Sequence, residues 1–421
     1  SNGFVGGVLK IGNFPMNLFY RTLRVVARIG LQIYFKKVSV QGAEYLKSDR
    51  PMLIALNHPS SFLEACVMAC WMEFPLHFIV RGDVFHPLFR WFFKWTYQIP
   101  IYRFRDGFSN LRNNSKTFEL CHQKLSEGGK IIIFAEGSTK WTKKLRPLQK
   151  GTARIAKGTL EKDPNLPLQI VPVGINFEDI FKFRSGCIIK VGEAFNPAEY
   201  MNNGKDTARL ITERLAQGMQ DCVLHLDKTE DETVFNIMSD YKGFFNEPDE
   251  SFAAQMQLAE YINKEMTDEC KTAAKEIDAI CKSKELVTLK PEVRSYRQSS
   301  IDLIIELLHY ISATIVNGPA LLGWWWGKRI SNHSSFTIPI RLALSGLLYI
   351  FTLLLFLVLL IWGLGWLGIL VFLLICIFIY LHIGWYDRHI RYQMAIKWKD
   401  LQENHRFCSY IEKLKKCNSL S

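Results

Sequence analysis

Two hydrophobic patterns alternate along the first half of the chain. Short apolar runs recur at residues 35–40, 52–56, 77–80, 98–102, 130–134, 169–173 and 188–191. Helical periodicity lies between several of them, at residues 61–74, 111–126 and 152–161. Several runs lack polar alternation, as strands covered on both faces do. Strand–helix alternation predicts an α/β fold, a mostly parallel sheet flanked by helices. In such sheets chemistry gathers in the loops after the strand C-termini.

The two ends of the chain read differently. Residues 14–35 mix Phe14, Leu18, Phe19, Leu23, Val26, Leu31 and Tyr34 with Arg21, Arg24 and Arg28. The three arginines recur at i, i+3 and i+7, which is one helical face. A basic amphipathic helix of this kind suits an anionic lipid surface, the alternative being an ordinary surface helix with a solvated Arg face. Residues 342–386 contain no Asp, Glu, Lys or Arg. One spanning helix needs about 20 apolar residues, so this stretch predicts two spans. The reversal falls at Trp362-Gly363-Leu364-Gly365-Trp366-Leu367-Gly368, where glycine permits the turn and Trp favours the headgroup level. Lys328, Arg329 and Arg341 precede the pair, and Arg388, Arg391, Lys397 and Lys399 follow it. Positive charge at both outer ends predicts that both face the cytoplasm. Between sheet and hairpin the chain turns polar and helical, as at 255–284. It then carries an apolar run, 301–326, broken at Asn317-Gly318-Pro319. That break predicts an interfacial or re-entrant helix rather than a third span. The expected organisation is an interface helix (1–34), an α/β domain (35–228), a helical extension (229–335), two transmembrane helices (336–390) and a basic cytoplasmic tail (391–421).

Composition narrows the partners. The 421 residues carry 52 Lys+Arg against 40 Asp+Glu, a surplus of +12 that favours anions. The first 50 residues hold eight basic and two acidic side chains. Residues 90–157 hold 15 basic and four acidic ones. Beside a hydrophobic hairpin, this charge points to lipid headgroups and phosphorylated ligands rather than nucleic acid. The ten cysteines are scattered, with no C-x-x-C pair. Reduced thiols and no zinc site are therefore expected, in a protein facing the cytosol. No secretory signal is evident at the start of the chain.

Candidate chemistry sits after three of the expected strands. The run 52–56 is followed by Asn57-His58-Pro59-Ser60-Ser61-Phe62-Leu63-Glu64. Pro59 suits a first helical position, which leaves His58 in the turn outside the helix. A His held there by Glu64 can act as a general base, although the same spacing also suits a structural pair. Arg103 follows the run 98–102. Glu136-Gly137-Ser138-Thr139 follows the run 130–134 and offers N–H groups and hydroxyls to an anion. Lys143, Lys144, Arg146, Lys150 and Arg154 add a basic rim.

Taken in order, these blocks resemble those of the glycerolipid acyltransferase family. The matching segments are Asn57-His58…Glu64, Ile99-Pro100-Ile101-Tyr102-Arg103, Phe134-Ala135-Glu136-Gly137-Ser138 and Val171-Pro172-Val173-Gly174-Ile175. Val38–Leu46 resembles the family's lead-in, and Lys150-Gly151-Thr152-Ala153 the stretch after the third block. The extension and hairpin resemble the longer bacterial members. The resemblance implies transfer of an acyl group from acyl-CoA or acyl-carrier protein to a hydroxyl of glycerol-3-phosphate or a lysophospholipid, with no further cofactor and no metal. His58 is then the base and Glu64 its acid, while Arg103, Glu136, Gly137, Ser138 and Lys150 shape the substrate site. It also implies an enzyme of the cytoplasmic (inner) membrane, its active site facing the cytosol. Two departures stand out. Five residues rather than four separate His58 from its acid, which is Glu instead of Asp. Thr139 stands where many members carry Arg, and Lys140 or Arg146 are candidates for that charge. The alternative is a catalytically silent lipid- or acyl-CoA-binding scaffold that keeps the fold.

Overall fold

The computed structural model describes residues 16–85, 87–102, 113–242, 251–286, 318–330 and 334–418, with isolated positions at 299, 301, 302, 304 and 307. The chain divides into two compact units. The first comprises residues 1–141, 145–177 and 185–224, and the second residues 142–144, 178–184 and 225–421.

The first unit is built on seven strands: β1 (Phe35–Gln41), β2 (Met52–Leu56), β3 (His77–Arg81), β4 (Gln98–Ile101), β5 (Lys130–Phe134), β6 (Gln169–Phe177) and β7 (Ser185–Val191). They form one sheet in the order β1-β7-β6-β2-β5-β3-β4. Every pairing is parallel except β6 with β7. The expected mostly parallel α/β sheet is therefore present. The uniformly apolar run Met-Leu-Ile-Ala-Leu became β2, and all five of its residues are buried. Only an inner strand with both faces covered has room for such a sequence.

Register decides where the loops meet. Leu56 of β2 pairs with Phe134 of β5 on one side and Val173 of β6 on the other. The segments that follow β2 and β5, from Asn57 and Ala135, therefore leave the sheet at one level, beside Gly174 and Ile175 where β6 continues to Phe177. Helices α1 (Leu18–Tyr34), α2 (Leu63–Trp71), α3 (Arg90–Trp95), α4 (Asn113–Ser126), α5 (Gly151–Lys162) and α6 (Thr207–Gln220) complete the unit. Helix α1 buries Tyr20, Leu31 and Tyr34 while Arg21 and Arg28 stay exposed. Its Phe19 packs edge-on against Trp91 and Trp95 of α3, with both ring pairs 5.6 Å apart.

Gly174 on β6 marks the tightest approach in this unit. A Cβ there would lie 1.8 Å from the carbonyl oxygen of Cys222. Backbone cannot yield as a side chain can, so Gly174→Ala is expected to cost about 3 kcal/mol and about 10 °C in Tm. Thermal unfolding of the full chain checks this. An unchanged Tm would show that the strand can retreat.

The second unit contains α7 (Glu232–Lys242), α8 (Phe252–Lys264), α9 (Asp268–Ser283), α10 (Gly318–Ile330), α11 (Ser334–Leu364), α12 (Trp366–Gln402) and α13 (His405–Asn418). Buried charge is paired here: Lys271 with Asp231 at 2.8 Å, and Arg388 with Asp302 at 2.8 Å. Helices α11 and α12 are long and apolar enough to cross a membrane by length and composition. Gly365 turns the chain between them at φ +58°, within the expected reversal. Helix α12 continues beyond the apolar stretch to Gln402. Helix α10 is described from Gly318 onward, and the expected break at Asn317 and most of the apolar run before it lie outside the described residues. One expectation is corrected. Cys270 on α9 is disulfide-bonded, so the thiols are not all reduced. Scattered spacing hid this, because helix packing can join cysteines far apart in sequence.

Candidate active site

The site is assembled from the ends of β2 and β5. Asn57 ends β2 by gripping β6. Its side-chain N–H donates to the carbonyl of Ile175 at 3.0 Å, and its carbonyl accepts from the Ile175 N–H at 2.8 Å. That two-way bond fixes the residue before His58 against a neighbouring strand.

His58 then turns off the sheet. Helix α2 starts at Leu63, four residues after Pro59, so Pro59 is not at the first helical position. The intervening turn holds Ser61 at φ +35°, a left-handed value that a residue with a Cβ adopts at a cost. The turn takes up the extra residue between His58 and its acid. Glu64 lies in the first turn of α2, fully buried, where the helix N-terminus favours a carboxylate. Its Oε1 bonds His58 Nδ1 and accepts the Ser60 N–H at 3.1 Å. Its Oε2 has no hydrogen-bond partner among the described residues.

A carboxylate can only accept, so Nδ1 of neutral His58 carries the hydrogen and the lone pair sits on Nε2. Among the described residues nothing bonds Nε2. The imidazole also stacks on Phe134, with ring centroids 4.0 Å apart and planes 16° apart. The ring is therefore held by a carboxylate at one edge and by an aromatic face. No thiolate competes nearby, because burial, with Cys70 and Glu64, pushes the Cys66 thiol well above its usual range.

Glu136 and Arg146 support this arrangement from β5. Glu136 Oε2 accepts the His58 backbone N–H at 3.0 Å. Arg146 returns across the loop: its backbone N–H donates to Glu136 Oε1 at 2.9 Å, its Nε to Oε2 at 3.1 Å, and one terminal nitrogen to Ser138 Oγ at 2.8 Å. Gly137, between the two bonded residues, sits at φ +68°, where a Cβ would lie 2.7 Å from Gln149 Cγ. Lys150 is exposed and sits at the N-cap position of α5 without a side-chain capping bond. Arg103 lies outside the described residues. The structure thus brings His58, Glu64, Glu136, Gly137 and Ser138 into one connected set.

In the sequence Arg146 belongs to the basic rim, as one candidate for a missing charge. Here its guanidinium is spent on Glu136 and Ser138. No periodicity marks a residue that returns through a loop; only its sign, opposite to Glu136, hinted at the pairing. Arg146→Gln leaves the Glu136 carboxylate buried with its charge unpaired, at an expected cost of about 3 kcal/mol. Arg146→Lys is expected to recover part of that, since a point charge cannot reproduce the fork. Chemical denaturation of the two variants measures the difference, and equal stability to the parent would refute the clamp.

A separate cavity of about 400 Å³ opens at the other end of the strands, lined by Leu46, Lys47, Trp71, Phe74, His77 and Lys130 among others. None of the predicted site residues lines it. Burial and nearby Lys124 push His77 down to about 4, which keeps it neutral at ordinary pH.

The family model described as Acyltransferase matches residues 37–176, the stretch that carries this site. An acyltransferase domain therefore occupies those residues. The chain is also similar to glycerol-3-phosphate O-acyltransferase 1 of Saccharomyces cerevisiae, 28% identical over 115 residues that make up 26% of this chain and 15% of that protein. It is 30% identical to glycerol-3-phosphate O-acyltransferase 2 of the same yeast over 104 residues, 24% of this chain and 14% of that one. The similarity thus spans about one-seventh of each relative. The crystal structure of the 1-acyl-sn-glycerophosphate acyltransferase PlsC from Thermotoga maritima aligns at a TM-score of 0.36 and 17% identity, covering 48% of this chain and 78% of that one. The matched stretch contains His58, Glu64 and Glu136.

Proposed function

We propose that the protein is a membrane-bound O-acyltransferase of phospholipid biosynthesis. It moves a fatty acyl group from acyl-CoA or acyl-carrier protein to a hydroxyl of glycerol-3-phosphate or a lysophospholipid. The observation that carries this reading is the His58–Glu64 pair, oriented so that Nε2 is the basic nitrogen. The acceptor O–H gives its proton to Nε2 as its oxygen attacks the thioester carbonyl. The tetrahedral intermediate then collapses, the C–S bond breaks, and the departing thiolate takes the proton back from Nε2. No acyl-enzyme is required, and the thioester is a co-substrate rather than a cofactor. The Glu136–Ser138 loop, with Arg103, is assigned to the acceptor's phosphate. Helices α11 and α12 are read as spans that hold the protein in the cytoplasmic membrane, with the site facing the cytosol, where soluble acyl donors occur.

The test is mass spectrometry of products from detergent-solubilised full chain. Glycerol-3-phosphate, lysophosphatidic acid and phosphate-free lyso-lipids serve as acceptors, each offered with acyl-CoA and with acyl-carrier protein. An acylated phosphorylated acceptor is expected. Absence of product with every pair, from folded protein that binds acyl-CoA, would replace this reading with the silent scaffold.

A further inference from the structure

The described part of helix α10, Gly318–Ile330, is 13 residues and about 20 Å long. It packs along the first turns of α11, and two glycines set the approach. A Cβ on Gly323 would lie 2.6 Å from the Ser345 backbone, and one on Gly327 would lie 2.7 Å from Cα of Arg341. Four residues forward on α10 match four back on α11, so the helices are antiparallel. The Ser345 hydroxyl donates to the Ala320 carbonyl at 2.7 Å across the same seam. Close packing through small residues is how apolar helices associate in lipid.

The seam ends in a cluster of cations and indoles. Arg329 stacks on Trp325 with its guanidinium carbon 3.8 Å from the ring centroid, and Arg341 lies 4.7 Å from that of Trp324. Lys328 and Arg329 are exposed, and Trp326 is half exposed. From Gly318 to Tyr386 the sequence has these three cations and no Asp or Glu. Among the described residues none of the three pairs with a carboxylate, and the Arg341 Nε is buried without a hydrogen-bond partner. Indole stacking leaves the guanidinium N–H groups still needing acceptors in a place of low polarity. Phosphate oxygens meet that need with charge-assisted bonds. Away from the cluster both helices present exposed apolar side chains, Leu321 and Leu322 on α10 and Leu347 and Phe351 on α11. Cations at one end and a greasy surface running away from them complement an anionic headgroup with its acyl chains.

We infer that Trp324, Trp325, Lys328, Arg329 and Arg341 form a binding site for an anionic phospholipid at the base of α11. The inference rests on the reading of α11 and α12 as spans. It is independent of the chemistry at His58.

The experiment uses the full chain in vesicles of phosphatidylcholine with one-fifth phosphatidylglycerol. Either the neutral or the anionic lipid carries brominated acyl chains, which quench nearby Trp fluorescence. At equal bromine content the anionic lipid is expected to quench several-fold more than dilution in the bilayer predicts. The excess is expected to fall to parity in Lys328→Gln/Arg329→Gln/Arg341→Gln, and to shrink in Trp325→Phe/Trp326→Phe. Equal quenching by both lipids in the parent overturns the site, as does an excess that survives the triple variant. If the triple variant loses quenching by neutral lipid, it has not inserted, and Arg341→Gln carries the test under the same criteria. Excess removed by inorganic phosphate but not by chloride at matched ionic strength assigns the cluster to free phosphate and overturns the lipid assignment. Absence of quenching by either lipid in the parent refutes the spans, and the site with them, while leaving acyl transfer untouched.

Discussion

His58→Ala is expected to lower kcat for acyl transfer by about 10²- to 10⁴-fold, the usual worth of a positioned general base. At about 1.4 kcal/mol per decade, that is roughly 3–5 kcal/mol of transition-state stabilisation. KM for the acyl donor is expected to change little, because the proton transfer is made only in the transition state. The substitution also removes the partner of a buried carboxylate. Glu64 would keep only the Ser60 N–H, so the single variant is expected to lose stability too. Inactivity alone would then be ambiguous. Adding Glu64→Gln removes the orphaned charge, and His58→Ala/Glu64→Gln is expected to unfold closer to the parent while staying as inactive as the single variant. Kinetics and denaturant midpoints on the same preparations separate the two effects. A folded His58→Ala variant with parental kcat would end the case for His58 as the base.

Strands were legible because burial on both faces leaves a run such as 52–56 no polar position, and the structure returns it with its bounds unchanged. The helix after it was less legible. Pro59 is a good first helical residue, but the turn through Ser61 delays the helix to Leu63. Local preference lost to the geometry that lets Glu64 reach back to the imidazole. Asn57 was visible as part of a motif. Its bond to Ile175 joins positions 118 apart, which only the sheet order brings together. Arg146 was visible as a charge, while its partners depended on how the loop after β5 closes. Cys270 shows the same limit, since a bridge between scattered cysteines leaves no spacing to read. Periodicity reports what is buried; long-range polar pairs need the fold.

Glu64 gives the second large effect, and its variants test how this turn substitutes for the more usual shorter gap and aspartate. Glu64→Gln keeps the shape and removes the charge. The amide can then donate to Nδ1 and push the imidazole hydrogen to Nε2, the nitrogen that must be basic. A wrong tautomer of this kind costs about 10⁴ in a comparable triad, so a fall of about 10³- to 10⁴-fold in kcat is expected. Glu64→Asp keeps the charge and shortens the arm by one C–C bond, about 1.5 Å. With α2 fixed by its packing, the shorter carboxylate falls out of hydrogen-bond range of Nδ1. An intermediate loss of about 10²-fold is expected, within the range for a misplaced acid–base group. Removing one residue from the Ser60–Phe62 turn in the Asp background restores the four-residue gap and should recover part of the loss, since it relieves the left-handed Ser61. Kinetics across the series, with nitrogen NMR of the His58 tautomer, read charge and reach separately. Parental activity in Glu64→Gln would reduce Glu64 to a structural partner, and parental activity in Glu64→Asp would show that the extra methylene is not what lets this longer turn work.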